Sequence, residues 1–340
     1  MPPSFFHHLH PPTIPAPQAR WRYTLGAGGI AFYLLLVLIA TGALEAFYYI
    51  PSSAGAAQSV QTITYLVPFG WLVRNLHFWA AQLLVGASAI HLLRVIFTGA
   101  YTPPRRFNYW IGLALFVLIL FLDFTGYALR WDTGVHWALV AGTNLLKTIP
   151  VIGSSLYAAA VGQNQIGDAS VVRFYGWHIF GLTLGVVFLG AWHIFRVRRD
   201  GGIGVPPPHL RRDPARITRF ELVNREWLAV LVISAALILL STYLPAPIAA
   251  PISGDLSQIA DARAPWFFLW VQQLLKLGDP FVLGVLAPLL VLAFLAAIPY
   301  LAPIQPGELG RWFPRGGRVV QGATAVVALA VFVLTLLALQ

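Results

Sequence analysis

Residues 74–94 read RNLHFWAAQLLVGASAIHLLR, and residues 173–196 read RFYGWHIFGLTLGVVFLGAWHIFR. The first stretch carries His77 and His91, fourteen residues apart in an otherwise apolar run. At about 100° and 1.5 Å per residue, that spacing puts both on nearly one helix face, roughly 21 Å apart along the axis. The second stretch repeats the arrangement with His178 and His193, fifteen apart. Four histidines in two matched pairs, each inside a segment apolar enough to enter a bilayer, suggest two metal centres stacked across a membrane.

Composition sets the environment. The chain has 340 residues, 58% of them hydrophobic and 10% charged, with a mean hydropathy of +0.72. Soluble domains carry about 25% charged residues, so the expected class is all-α, a polytopic membrane helical bundle. There is no cysteine, which excludes disulfides, cysteine-ligated clusters and covalent haem attachment through this chain. The net charge of +10 is what short basic loops of a membrane protein produce, and no nucleic-acid partner is expected. No cleavable signal is evident, because residues 1–23 are rich in Pro and His and have no apolar core. His7, His8 and His10 in that segment read as surface histidines rather than a metal site.

Seven spanning helices are expected, over about 26–49, 69–98, 109–129, 171–197, 227–244, 280–300 and 319–339. Pro288 is expected to bend the sixth. The long connection 130–170 and the stretch APWFFLWVQQLLK (264–276) read as interfacial helices. A basic, Pro/Gly-rich linker separates the halves, giving a surface segment at 1–25, a four-helix unit at 26–200, a linker at 201–225 and a three-helix unit at 226–340. With the N-terminus in the cytoplasm, sixteen of the twenty-two Lys and Arg residues fall on that side. The C-terminus then lies on the outer side, and the expected location is a bacterial inner membrane.

In this orientation the second and fourth helices run the same way. His77 pairs with His178 near the outer surface, and His91 with His193 deeper in. Each pair can supply both axial ligands of a non-covalent b-type haem, a six-coordinate iron suited to electron transfer; zinc wants four protein or solvent ligands. Gly28 and Gly42, and Gly112 and Gly126, repeat the fourteen-residue spacing, as positions without a side chain facing a flat macrocycle would. The alternative is ordinary small-residue helix packing. Arg74, Arg94 and Arg173 stand near helix ends where a haem propionate would emerge, or where plain interfacial anchoring would put them.

These residues resemble cytochrome b of quinol:cytochrome c oxidoreductases, and more closely cytochrome b6 joined to subunit IV in one chain. The resemblance is densest in TGALEAFYYIP (41–51), residues 70–105, FTGYALRWD (124–132), GTNLLKTIPVIG (142–153) and RFYGWHIF (173–180). It implies a four-helix di-haem core with three further helices, two bis-His b haems and quinone as substrate. It also implies iron–sulfur (Rieske-type) or c-type cytochrome partner subunits, and a homodimeric complex set in lipid. An outer quinol site and an inner quinone site follow from it as well. At the outer site this chain departs from the family's pattern. APWF (264–267) stands where PEWY is usual, so Pro265 replaces a proton-accepting Glu and Phe267 a Tyr, around Trp266. Arg130 stands where a Pro is usual. Asp132, Asp261 and Asp279 are nearby carboxylates that read as solvated loop residues. At the inner site Asp200, Arg196, Arg198 and Glu221 are available for polar contact. Two redox readings stay open: a quinol-oxidising subunit, and an electron conduit from a non-Rieske outer partner to an inner quinone. A transporter with a histidine proton relay is the non-redox alternative.

Overall fold

The computed structural model describes residues 11–210, 215–252 and 263–340; His7, His8, His10 and Asp261 lie outside them. Among the described residues, seven helices are long and apolar enough to cross a membrane: Ala27–Ala46, Gly70–Phe97, Arg106–Ala128, Asp168–Arg199, Arg219–Tyr243, Phe281–Leu301 and Arg315–Ala338. The protein is a multi-pass, all-α membrane protein. Phe32, Leu36, Phe188, Leu231 and Phe332 are exposed on these helices, as side chains bathed in lipid tails are.

Six of the seven spans lie within a few residues of their expected limits. The fifth starts at Arg219, not Trp227, because a capping box starts the helix early. Thr218 Oγ1 accepts the Glu221 amide at 3.2 Å, and a Glu221 carboxylate oxygen accepts the Thr218 amide at 2.8 Å. The sixth opens with a π-helical turn, Phe281–Leu286, followed by regular helix from Ala287. Pro288 therefore sits where the π-helical turn passes into regular helix, inside one continuous span.

The connections position the ends of the bundle. At the His77/His178 end lie three short helices, Ala56–Tyr65, Thr133–Lys147 and Gly153–Val161. The last two were expected within 130–170; the first was not. The 264–276 stretch forms a turn of 3-10 helix, Trp266–Phe268, and the helix Leu269–Leu275. At the opposite end a two-stranded antiparallel ribbon pairs Thr13–Pro15 with Arg216–Thr218. It ties the N-terminal segment to the start of the fifth span.

The fifth span leans on the first two. Tyr33 and Ser234 share a 2.6 Å hydrogen bond, and Asn75 donates to the Ser241 carbonyl at 2.8 Å. The central core gathers Leu34, Leu38, Leu84, Val85, Ile119 and Val186 from the first four spans. Phe267 inserts into that same cluster, which brings the 264–268 segment against the first four spans.

Candidate functional site

The four histidines come together in two pairs. The His77 and His178 ring centres are 6.3 Å apart, and so are those of His91 and His193. A metal–imidazole bond is about 2 Å, and the nitrogen lies roughly 1.1 Å from its ring centre. Two imidazoles on opposite sides of one metal therefore stand about 6 Å apart. Both pairs have that spacing. No group of three or more His, Cys, Asp or Glu side chains converges among the described residues, so the donor set is two imidazoles per centre.

The fifteen-residue interval in the fourth span has a structural cause. Fourteen residues of regular helix return to nearly the same face, whereas fifteen overshoot by about 60°. Residues Trp177–Leu182, which include His178, form a π-helical turn within the otherwise continuous span. Such a turn absorbs one extra residue, so His178 and His193 present one face as His77 and His91 do.

Each glycine singled out by spacing faces one histidine. A Cβ on Gly42 would lie 2.9 Å from Cε1 of His77, and one on Gly28 3.1 Å from Cε1 of His91. The corresponding distances are 2.8 Å from Gly126 to His178 and 3.1 Å from Gly112 to His193. Where a macrocycle contact was expected, the structure shows a different immediate neighbour: the imidazole edge itself occupies the space a side chain would need.

Two threonines fix the rings at one end. Thr41 Oγ1 is 2.9 Å from Nδ1 of His77, and its hydroxyl donates to the Val37 carbonyl at 2.8 Å. Thr125 Oγ1 is 3.1 Å from Nδ1 of His178 and donates to the Leu122 carbonyl at 2.8 Å. That carbonyl is also 3.0 Å from Nδ1 of His178. With the hydroxyl protons already committed, both Nδ1 atoms are the donors, which leaves the Nε2 lone pairs free for a metal. Spacing analysis missed these residues, although each immediately precedes a singled-out glycine in a Thr-Gly pair. Gly28 and Gly112 have no such threonine; Nδ1 of His91 is buried with no partner among the described residues, while His193 faces the Asn108 backbone, four residues before Gly112.

A sequence model described as Cytochrome b/b6/petB matches residues 14–201, just over half the chain. The chain belongs to the cytochrome b family. A solved structure titled "Hyperthermophilic respiratory Complex III" is similar to it, with a TM-score of 0.77, covering 94% of this chain and 84% of that chain. At 21% identity this likeness speaks for the fold alone.

The cytochrome b haem group fits the residues present: paired imidazoles at axial spacing, a glycine against each ring, and Nδ1–H tautomers where a partner exists. The arginines are placed unequally. Arg94 is 5% exposed, lies over the Tyr23 ring at 5.6 Å, and has a buried Nε without a partner. No carboxylate among the described residues pairs with it. Arg74 instead donates to the carbonyls of Ala246 and Pro247, and Arg173 to the Ala159 carbonyl at 2.6 Å. Beside Arg94, the Tyr23 hydroxyl donates to the Gly204 carbonyl. Burial raises its phenol pKa, while the Arg94 guanidinium pulls it down. Burial also lowers the Arg105 pKa, against the favourable charges of Tyr23 and Asp200.

The residues expected at quinone sites divide. Asp200 is ion-paired with Arg196 at 3.0 Å and Arg199 at 3.0 Å, and Glu221 caps its helix. Pro265 precedes the 3-10 turn, Phe267 is buried, and Trp266 Nε1 donates to Gln82 Oε1 at 2.8 Å. Asp132 is not a solvated loop carboxylate: it is 1% exposed and holds Arg130 through Nη2 at 2.8 Å and Nε at 3.1 Å. It also accepts the Ala249 amide at 3.0 Å. The unexpected Arg130 is thus neutralised two residues along the chain. Asp279 is exposed and caps the sixth span through the Val282 amide at 2.9 Å.

Proposed function

We propose that this chain is the di-haem b subunit of a membrane quinol/quinone oxidoreductase of the bc type. Two imidazole pairs with the same 6.3 Å spacing carry the reading. His77 with His178, and His91 with His193, would hold the two haem irons, and the haem-binding unit would be residues 26–200, followed by the three-helix unit 226–340. When bound, the two haems supply one-electron carriers that connect the faces of the membrane. The protein's own residues do the rest. The threonines and the π-helical turn aim the imidazoles, the glycines make room for their edges, and Arg94 offers its charge to a propionate.

The bias of basic residues toward one set of loops supports an orientation with the N-terminus and the His91/His193 pair toward the cytoplasm and the His77/His178 pair toward the outside. Quinone exchanges electrons at the inner end. Iron–sulfur or c-type cytochrome subunits, in a complex that pairs with its own copy, receive electrons at the outer end. A chain without cysteine relies on partner subunits for centres held by thiolates. A reduced-minus-oxidised spectrum with a haem assay tests the reading. The expected result is two b haems per chain; a colourless protein would instead support the histidine proton-relay transporter.

The absence of a Glu at Pro265 favours a second reading, a conduit joining a non-Rieske outer partner to the inner quinone. Outer-site inhibitors separate the two readings. They arrest turnover of a quinol-oxidising complex and leave a conduit running while inner-site inhibitors still act.

A further inference from the structure

Asp123 is a carboxylate within the apolar third span, one helical turn inward of Gly126. Its neighbours in sequence are Leu122 and Phe124, and among the described residues one side chain hydrogen-bonds it. Gln82 Nε2 donates to it across long distances, 3.3 Å to Oδ1 and 3.5 Å to Oδ2. An ionised carboxylate offers about four acceptor sites, so most of its capacity is unused. Intramembrane carboxylates are expensive and serve function by default.

The surroundings say which function. Gln82 is shared: its Oε1 accepts the Trp266 indole N–H at 2.8 Å while its amide donates to Asp123. Phe124 packs edge-on against Phe268, with ring centres 6.0 Å apart. Tyr127, one turn along the same face from Asp123, donates to the Arg263 carbonyl at 2.9 Å. Asp123 therefore lies on the seam where the 263–268 segment meets the second and third spans. The seam is walled by aromatic rings, and its Trp266 edge is 46% exposed. A flat apolar ring bearing acidic hydroxyls fits such a place: aromatic walls for the ring, an amide to orient a hydroxyl, and a carboxylate to take its proton.

We infer that Asp123 is the proton acceptor of an outer hydroquinone-oxidising site formed with Gln82 and Trp266. This rests on the reading of the chain as a quinol oxidoreductase subunit. A hydroquinone O–H bond breaks and an O–H bond forms on an Asp123 oxygen. The two electrons leave singly to two one-electron metal acceptors, which are reduced, and the second proton passes to outer water. Asp123 then releases its proton to that water, and quinone departs.

The test uses the assembled complex in membranes, a short-chain benzoquinol as donor and a soluble ferricytochrome c as terminal acceptor. Asp123→Asn is expected to lower quinol oxidation by about 100-fold with both b-haem bands intact, and Asp123→Glu to recover most of the rate. An Asn variant that turns over like the wild type, in a wild type sensitive to outer-site inhibitors, overturns the role of Asp123 and leaves the subunit reading standing. A wild type insensitive to those inhibitors overturns both the inference and the quinol-oxidising reading. Infrared difference spectra of wild-type complex labelled with 13C-aspartate stand apart from any folding defect. Addition of quinol is expected to produce a protonated-carboxyl band that shifts with the label, and absence of that band counts against the inference.

Discussion

A methyl group on Gly126 would come within 2.8 Å of the His178 ring, closer than a carbon–carbon contact allows. Gly126→Ala and Gly42→Ala are therefore expected to displace their imidazoles, at a cost of about 1–3 kcal/mol. The His77/His178 haem should be lost or become high-spin while the other b-haem band persists in the optical spectrum. Thr125→Val keeps the shape and removes one hydrogen bond from the His178 ring. An Nδ1–H held by an acceptor makes an imidazole a stronger donor to a metal and so favours the oxidised state. Removing about 1 kcal/mol of that bond should raise the midpoint potential of this centre by roughly 40 mV, leaving the His91/His193 centre unchanged in a redox titration. The histidines and glycines were legible in the sequence because they recur at helical spacing. Thr41, Thr125 and Asp123 were not, because their meaning lies in contacts across helices: a hydroxyl on Nδ1, an amide shared with Trp266. The carboxylates that stand near the outer site in sequence, Asp132, Asp261 and Asp279, read as loop residues, and Asp132 is committed to Arg130.

At the scale of elements, the π-helical turn over Trp177–Leu182 reconciles a fifteen-residue interval with a fourteen-residue ladder. Deleting Phe180 should convert that turn to regular helix and retain both haems, seen as two unaltered b-haem bands. Inserting an alanine after Leu184 should separate His193 from His91 and remove the haem of that pair. The spans were legible because twenty apolar residues in a row have few alternatives, and the interfacial helices because of their aromatic, amphipathic patterns. The π-helical turn left only an ambiguous one-residue discrepancy. The Thr13–Pro15 ribbon left no pattern at all, since three residues pairing across two hundred positions carry no local signal. The turn after the third span carries a separate prediction. Asp132→Asn should destabilise the protein by about 3–5 kcal/mol by leaving the half-buried Arg130 charge uncompensated. Replacing both residues should cost less than the sum of the single changes in thermal unfolding of the complex.

In the whole molecule, two helix pairs form one object. Spans one and three carry the glycines, spans two and four the histidines, and the later spans close around them, bringing the aromatic segment to the His77/His178 end. The most direct test is haem stoichiometry and ligation in the purified chain, by haem extraction together with low-temperature electron paramagnetic resonance. The account predicts two non-covalent b haems per chain, both low-spin with two imidazole ligands, and loss of the same single haem in His77→Leu and His178→Leu. One haem per chain, or different haems lost in those two variants, would contradict it.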